Sequence, residues 1–92
     1  MAYQIEAARS RIKRELRRIP GTDRDRIGKS LSVLRDDPCP AGVVQLQPDV
    51  YRMRVGEYRV IYKVFDDRKL ILIGRVARRS ENTYKGLSGL FG

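Results

Sequence analysis

Apolar and polar positions change their period twice along this chain. Residues 2–6 (Ala-Tyr-Gln-Ile-Glu) alternate weakly, which predicts a short first strand. From Ala8 the spacing lengthens. Ile12, Leu16 and Ile19 stand at i, i+4 and i+7, one face of a helix, and six basic residues cover the rest of it. Pro20-Gly21 ends that helix. Thr22, with Asp25 three residues later, predicts a capping box for a second helix whose inner face is Ile27, Leu31 and Leu34. Gly28 weakens it by up to about 1 kcal/mol relative to alanine. Each helix is too amphipathic to stand alone, so the pair is expected as an αα-hairpin lying on a sheet. Asp36-Asp37-Pro38 stops the second helix, and "DDPCPAG" reads as a loop.

Beyond the loop the period is two. Residues 43–46 form a short candidate strand, and "YRMRVGEYRVIYKV", residues 51–64, reads as a β-hairpin. Tyr51, Met53 and Val55 point one way and Arg52 and Arg54 the other. Gly56-Glu57 makes the turn. Tyr58, Val60, Tyr62 and Val64 then share one face, with the two tyrosines expected in the core, opposite Arg59, Ile61 and Lys63. Asp66-Asp67-Arg68 turns the chain into residues 70–73, an apolar run typical of a central strand buried on both faces. That strand continues through Gly74, Arg75, Val76 and Ala77 into "RRSENTYK". The predicted order is β-α-α-β-β-β. This is one α+β domain over residues 1–92, a small, mostly antiparallel sheet with the αα-hairpin packed on one face. Residues 85–92, ending "GLSGLFG", are expected as a loosely ordered tail.

Charge narrows the class of partner. The 92 residues carry 20 basic against 11 acidic side chains, net +9, and 15 of the basic ones are arginine. Arginine presents a planar fork that matches phosphate, so this preference points to a polyanionic partner, nucleic acid or an acidic protein. A chain this short buries only roughly 60–65% of its unfolded surface, enough for one modest core. Histidine is absent and Cys39 is the single cysteine, which argues against a zinc site, an internal disulfide, and a Ser-His or Cys-His triad. No apolar run approaches the roughly 18 residues of a membrane span, and the N-terminus has no signal-peptide core. A cytoplasmic protein is expected, with no cofactor, no metal and no membrane contact.

With helices on one face of the sheet, the other face would display Arg52, Arg54, Arg59 and Lys63. Arg75 follows on the last strand, and Arg78 and Arg79 come within six residues of Tyr84. An open cationic surface beside an aromatic ring suits single-stranded nucleic acid, because guanidinium groups meet phosphates and a ring stacks on an unstacked base. A solvated strand face accounts for any one of these arginines. It accounts less well for arginine at 52, 54, 59, 75, 78 and 79 together.

Residues 51–84 closely resemble the RelE/ParE superfamily of bacterial toxins. The hallmark hairpin "YR-x-R-x-G-x-YR-x-x-Y" is present as "YRMRVGEYRVIY", and an "RR…Y" ending as "ARRSENTY". The likeness is greatest to RelE-type mRNA interferases, and it implies a RelE-like, microbial-RNase-like fold over nearly the whole chain. It also implies an activity: metal-independent cleavage of messenger RNA in the ribosomal A site, where the 2′-hydroxyl attacks its own 3′-phosphate. By the same resemblance Arg59 holds the phosphate, Arg78 serves the leaving group or transition state, and Tyr84 stacks on the base and is a candidate general base. Arg52, Arg54, Lys63, Arg75 and Arg79 would bind RNA.

Two positions depart from the family pattern. Arg52 and Arg54 stand where RelE-type members often carry lysine, and arginine is effectively never deprotonated, so neither is a conventional base. Ala77 stands where many members have histidine, which removes a histidine-acid mechanism. Glu57 and Glu81 read as turn or surface residues. The resemblance leaves a second function open, a ParE-like toxin that inhibits DNA gyrase by binding without nuclease chemistry, and a third, an inactive relative that only binds antitoxin. The implied partners are a RelB-like antitoxin, the ribosome and mRNA. A chain rich in Asp and Glu, ordering as it binds, would complement the +9 surface.

Overall fold

A computed structural model describes residues 2–78 of the chain. The elements are β1 (Gln4–Ala7), α1 (Ser10–Arg17), α2 (Gly21–Leu34), β2 (Val44–Gln47), β3 (Val50–Val55), β4 (Tyr58–Phe65) and β5 (Leu70–Arg78). They build one five-stranded sheet in the order β1-β5-β4-β3-β2, antiparallel except for the β1–β5 pair. The α+β class and the helical hairpin on one face are as expected. The candidate at 43–46 becomes the edge strand β2, so the order carries four strands after the helices. The expected tail at 85–92 lies outside the described residues.

The helical stripe reaches past the end of its helix. α1 stops at Arg17, yet Ile19 is buried as the i+7 spacing requires. Burying Ile19 draws the chain straight back onto the sheet, and α2 begins at Gly21 directly after Pro20. Thr22 therefore sits inside the helix and the expected capping box does not form: the N-cap residue is Pro20, with no side-chain cap. Asp23 in the first turn complements the helix dipole instead. Between helices and sheet, Ile12, Ile27 and Leu34 pack on Val60, Tyr62 and Ile71. Tyr58 and Tyr62 are both core residues, as their alternation demands.

Tyr62 also anchors the loop. Its hydroxyl donates to the Pro38 carbonyl at 2.7 Å, and its ring stacks on Tyr51 with centroids 5.7 Å apart. Burial pushes the Tyr62 pKa well above the ordinary phenol value, so the hydroxyl remains a donor. Tyr51 is raised as well, first by a side-chain hydrogen bond with Cys39 and then by burial. Through Pro38 and Cys39, the two rings thus hold "DDPCPAG" against the sheet.

β5 contains the irregularity that governs the open face. Tyr62 pairs with Ile73 but Ile61 pairs with Arg75, so Gly74 is one extra residue in β5. The bulge lets Ile71, Ile73 and Val76 all reach the helical core despite their odd spacing. Leu70 and Leu72, expected to be fully covered, are half-buried, and no layer of the described residues lies over that face. Past the end of β1, α1 takes over the free edge of β5. Ala8 N–H donates to the Ile73 carbonyl, Arg11 Nη2 to the Gly74 carbonyl, and Val76 N–H to Glu15 Oε1 at 3.1 Å. Backbone groups that would otherwise invite another strand are thereby satisfied.

Two glycines should respond to alanine with opposite signs. Gly28 is exposed on α2, and an added Cβ would meet nothing within 4 Å. Gly28→Ala should therefore stabilise the domain by about 0.5–1 kcal/mol. Gly56 turns the β3–β4 hairpin with φ of 57°, and its Cβ would lie 3.2 Å from Arg26 Nη1. Gly56→Ala should cost about 1–2 kcal/mol for the left-handed backbone. Urea unfolding midpoints check both, and a raised midpoint for Gly56→Ala would contradict this turn geometry.

Candidate nucleic-acid interface

Strand pairing arranges the open face in cross-strand rows. Arg54, Arg59 and Ala77 are in register across β3, β4 and β5, and Arg52, Ile61 and Arg75 form the next row. Val50, Lys63 and Leu72 form the third. Directly opposed side chains stand roughly 4.5–5.5 Å apart at Cβ, so five cations occupy neighbouring positions on one small surface. The hairpin alternation read from the sequence places Arg52, Arg54, Arg59 and Lys63 here as expected.

The cations stand over an apolar floor. Ile61 is fully buried although it lies on the face away from the helices, and it packs with Val50 and Leu46 in a second small cluster. Its cross-strand partners are Arg52 and Arg75, and Arg59 and Lys63 flank it on β4; all four are half-buried. Arg54, at the outer end of its row, is exposed. The Nε of Arg75 is buried with no hydrogen-bond partner among the described residues. A buried donor edge without an acceptor is costly, and an incoming phosphate oxygen would satisfy it.

Arg78 is placed differently from expectation. It is in register with Tyr58, whose side chain belongs to the helical core, while Arg59 pairs with Ala77. The Arg78 guanidinium lies 5.9 Å from the Tyr58 ring centroid. With Glu15, Arg18, Ile19, Val76 and Ala77 it lines a small pocket on the helical side. Arg59 and Arg78 are thus on opposite faces of the sheet. The reason is Gly74: without the bulge, even-numbered residues would stay on the open face through Arg78, and Arg75 would point at the helices. A glycine inside a strand pattern is the sequence signal for such a bulge. Arg79 and Tyr84, the other predicted site residues, lie outside the described residues, as does Glu81. Glu57 is exposed in the hairpin turn.

The surface can bind an extended polyanion. Its donors are guanidinium and ammonium groups, its floor is apolar, and no layer of the described chain lies above it. Such a face is suited to phosphates, and its cationic side chains among the described residues offer no proton acceptor.

Comparison with known proteins places the chain in a family. Residues 5–83 match the family described as the ParE toxin of the type II toxin–antitoxin system parDE. A relative from Methanocaldococcus jannaschii named for toxin RelE1 is 28% identical over 90 residues, covering 92% of this chain and 98% of its own. A chain of the archaeal RelE–RelB complex from Pyrococcus horikoshii OT3 superposes with a TM-score of 0.76 at 26% identity, covering 88% of this chain and 99% of that one. The isolated E. coli RelE toxin gives a TM-score of 0.76 at 21% identity over 96% of each chain, a likeness of fold alone. With the family match spanning all five strands and both helices, the chain belongs to the ParE toxin family of type II toxin–antitoxin systems, within the RelE/ParE superfamily, and has the fold of RelE toxins.

Proposed function

We propose that this toxin is a ribosome-dependent mRNA endoribonuclease that works without metal in the cytoplasm. The observation that carries the reading is the set of rows built on Arg54, Arg59, Arg52, Arg75 and Lys63 over buried Ile61. Cleavage by the 2′-hydroxyl requires cations to stabilise the added phosphate charge, a proton acceptor, and a donor for the leaving oxygen. Arg59 is the phosphate ligand at the centre of its row. Arg52, Arg54, Lys63, Arg75 and Arg79 hold the neighbouring backbone. Tyr84 is the acceptor, since the arginines cannot be, and arginines brought near it would favour its phenolate.

Arg78 serves the leaving group only if it leaves Tyr58. A cation–π contact at an exposed site is worth about 0.5–1 kcal/mol, whereas a hydrogen bond to a charged group contributes about 1.5–3 kcal/mol. Substrate phosphate therefore outcompetes the ring. A RelB-like antitoxin is the partner that holds the activity silent; the Pyrococcus relative is solved as a RelE–RelB complex.

The second reading is gyrase inhibition by binding alone, favoured by the family match to ParE toxins. Induced expression followed by mapping of mRNA 5′ ends separates the two. New ends within codons of translated messages, suppressed when the adjacent antitoxin frame is co-expressed, are expected. Intact messages with an SOS response would instead establish the gyrase reading, and neither phenotype an inactive relative.

The residue assignment has its own test. Arg59→Ala, Arg78→Ala and Tyr84→Phe should each slow cleavage on the order of 10²–10⁴-fold with little change in folding stability. Arg52→Ala should chiefly weaken RNA binding and flatten its salt dependence. Full toxicity in both Arg78→Ala and Tyr84→Phe would show the assignment to be wrong even with the fold right.

A further inference from the structure

The open face does not end with its arginine rows. Arg59, Ile61, Lys63 and Phe65 share one side of β4, so Phe65 continues that face at the last residue of the strand, in register with Leu70. At about 3.3 Å per residue it stands roughly 20 Å along the strand from Arg59. Phe65, Leu70 and Leu72 are half-buried, and none of them packs into either core cluster of the described residues. Two cations lie over the ring: Lys63 Nζ is 5.1 Å from its centroid and the Arg68 guanidinium carbon 5.7 Å. Asp66 and Asp67 are their neighbours in the chain, yet neither cation forms an ion pair among the described residues. Asp66 accepts from the Tyr3 hydroxyl instead. A lone surface phenylalanine needs no explanation. A ring that extends a cationic face and holds two cations away from adjacent carboxylates does.

We infer that Phe65, Lys63 and Arg68 form a nucleotide subsite, which stacks one unpaired base of single-stranded RNA and holds the phosphates beside it. The inference rests on the reading of the open face as an RNA surface, and adds to it a place for a base remote from Arg59. Any base stacks on an aromatic ring because every base has a π-face, and cations next to the ring take the backbone. A cation over a ring is held more weakly than one in a charge-assisted hydrogen bond to phosphate. Lys63 and Arg68 therefore move to the phosphates and leave the ring to the base. An apolar anchor for a protein partner fits less well, since the cores of protein interfaces are depleted of charge and this ring carries two charges. Duplex RNA fits no better, because its bases are already stacked on one another. A strand held at Arg59 and at Phe65 is kept extended along the whole of β4.

The test is binding of the full chain to labelled single-stranded 2′-O-methyl RNA of about twelve nucleotides, which lacks the attacking hydroxyl and so reports binding alone. A matching set replaces one base at a time with an abasic unit. Phe65→Leu, which keeps the apolar packing and removes the ring, should lose at least about fivefold in affinity, and Phe65→Trp should bind as well as the parent. One abasic position should weaken the parent, still weaken Tyr84→Ala, and have no further effect on Phe65→Leu. K63Q/R68Q should lower the log–log salt slope by about 1–2, at about 0.7 per phosphate contact on a single strand. Equal affinity and the same abasic profile in Phe65→Leu and the parent would overturn the subsite and leave the RNA surface standing. So would a Phe65→Leu chain that loses only its antitoxin, which would mark the ring as a protein contact. A parent with no abasic-sensitive position left in Tyr84→Ala would overturn the subsite without any change at residue 65. Because the probe needs no cleavage, the expected profile in a toxin that leaves messages intact would retire the nuclease reading and keep the subsite.

Discussion

One extra residue in β5 determines what each face of this sheet can do. Side chains in a strand alternate strictly, so a single insertion exchanges the two faces for everything that follows. Gly74 is that insertion. Before it, Leu70 and Leu72 lie on the open side; after it, Arg75 and Ala77 do, and Val76 returns to the helical core in register with Val60. The exchange brings Arg75 beside Ile61 and removes Arg78 to Tyr58. α1 lines the same stretch of edge: Arg11 reaches the Gly74 carbonyl while Glu15 accepts from the Val76 N–H.

The same bulge limits what the residue pattern reveals. Local periodicity was sufficient for the helices, since Ile12, Ile19, Ile27 and Leu34 are buried with Leu16 and Leu31 partly buried beside them, and for the β3–β4 hairpin, whose two-residue glycine turn leaves one possible register. Helix ends were less legible. The Thr22–Asp25 pair has the form of a capping box, but the need to bury Ile19 and the position of Pro20 set the start of α2 at Gly21. The site was legible on β3 and β4 and not on β5. Alternation carries a face assignment along an unbroken strand, but nothing local reveals on which residue a bulge will fall. Burial of Ile61 was hidden as well: a polarity pattern counts a strand face of charged neighbours as solvent-facing, and gives no sign that Ile61 packs with Val50 and Leu46 there.

The chemistry follows from the choice of arginine. A sheet face bearing lysine could both hold phosphate and, with a lowered pKa, exchange a proton. The hairpin here offers guanidinium at 52, 54 and 59, which binds and polarises but cannot accept. The proposed function therefore divides binding and proton transfer between different parts of the chain: the rows of β3, β4 and β5 would hold the backbone, and Tyr84 would be the acceptor. Such a division favours a substrate whose geometry is set elsewhere, because the rigid part of the site fixes phosphates and leaves the 2′-hydroxyl to be presented by the substrate's own conformation.

Net charge ties these features to stability. At +9 on 92 residues, with cations on the open face and along the outside of α1, the folded domain repels itself while its core is small. Apolar burial must outweigh that repulsion, and the sheet is arranged so that it does. Tyr62 and Ile61, adjacent on β4, are both fully buried, one in each cluster, so the central strand is covered on both sides even though helices cover only one. Any polyanion that binds the native face relieves the repulsion and stabilises the fold by mass action. A surface of this kind is most stable when occupied, which is consistent with a protein that passes between a partner that silences it and a target that it acts upon.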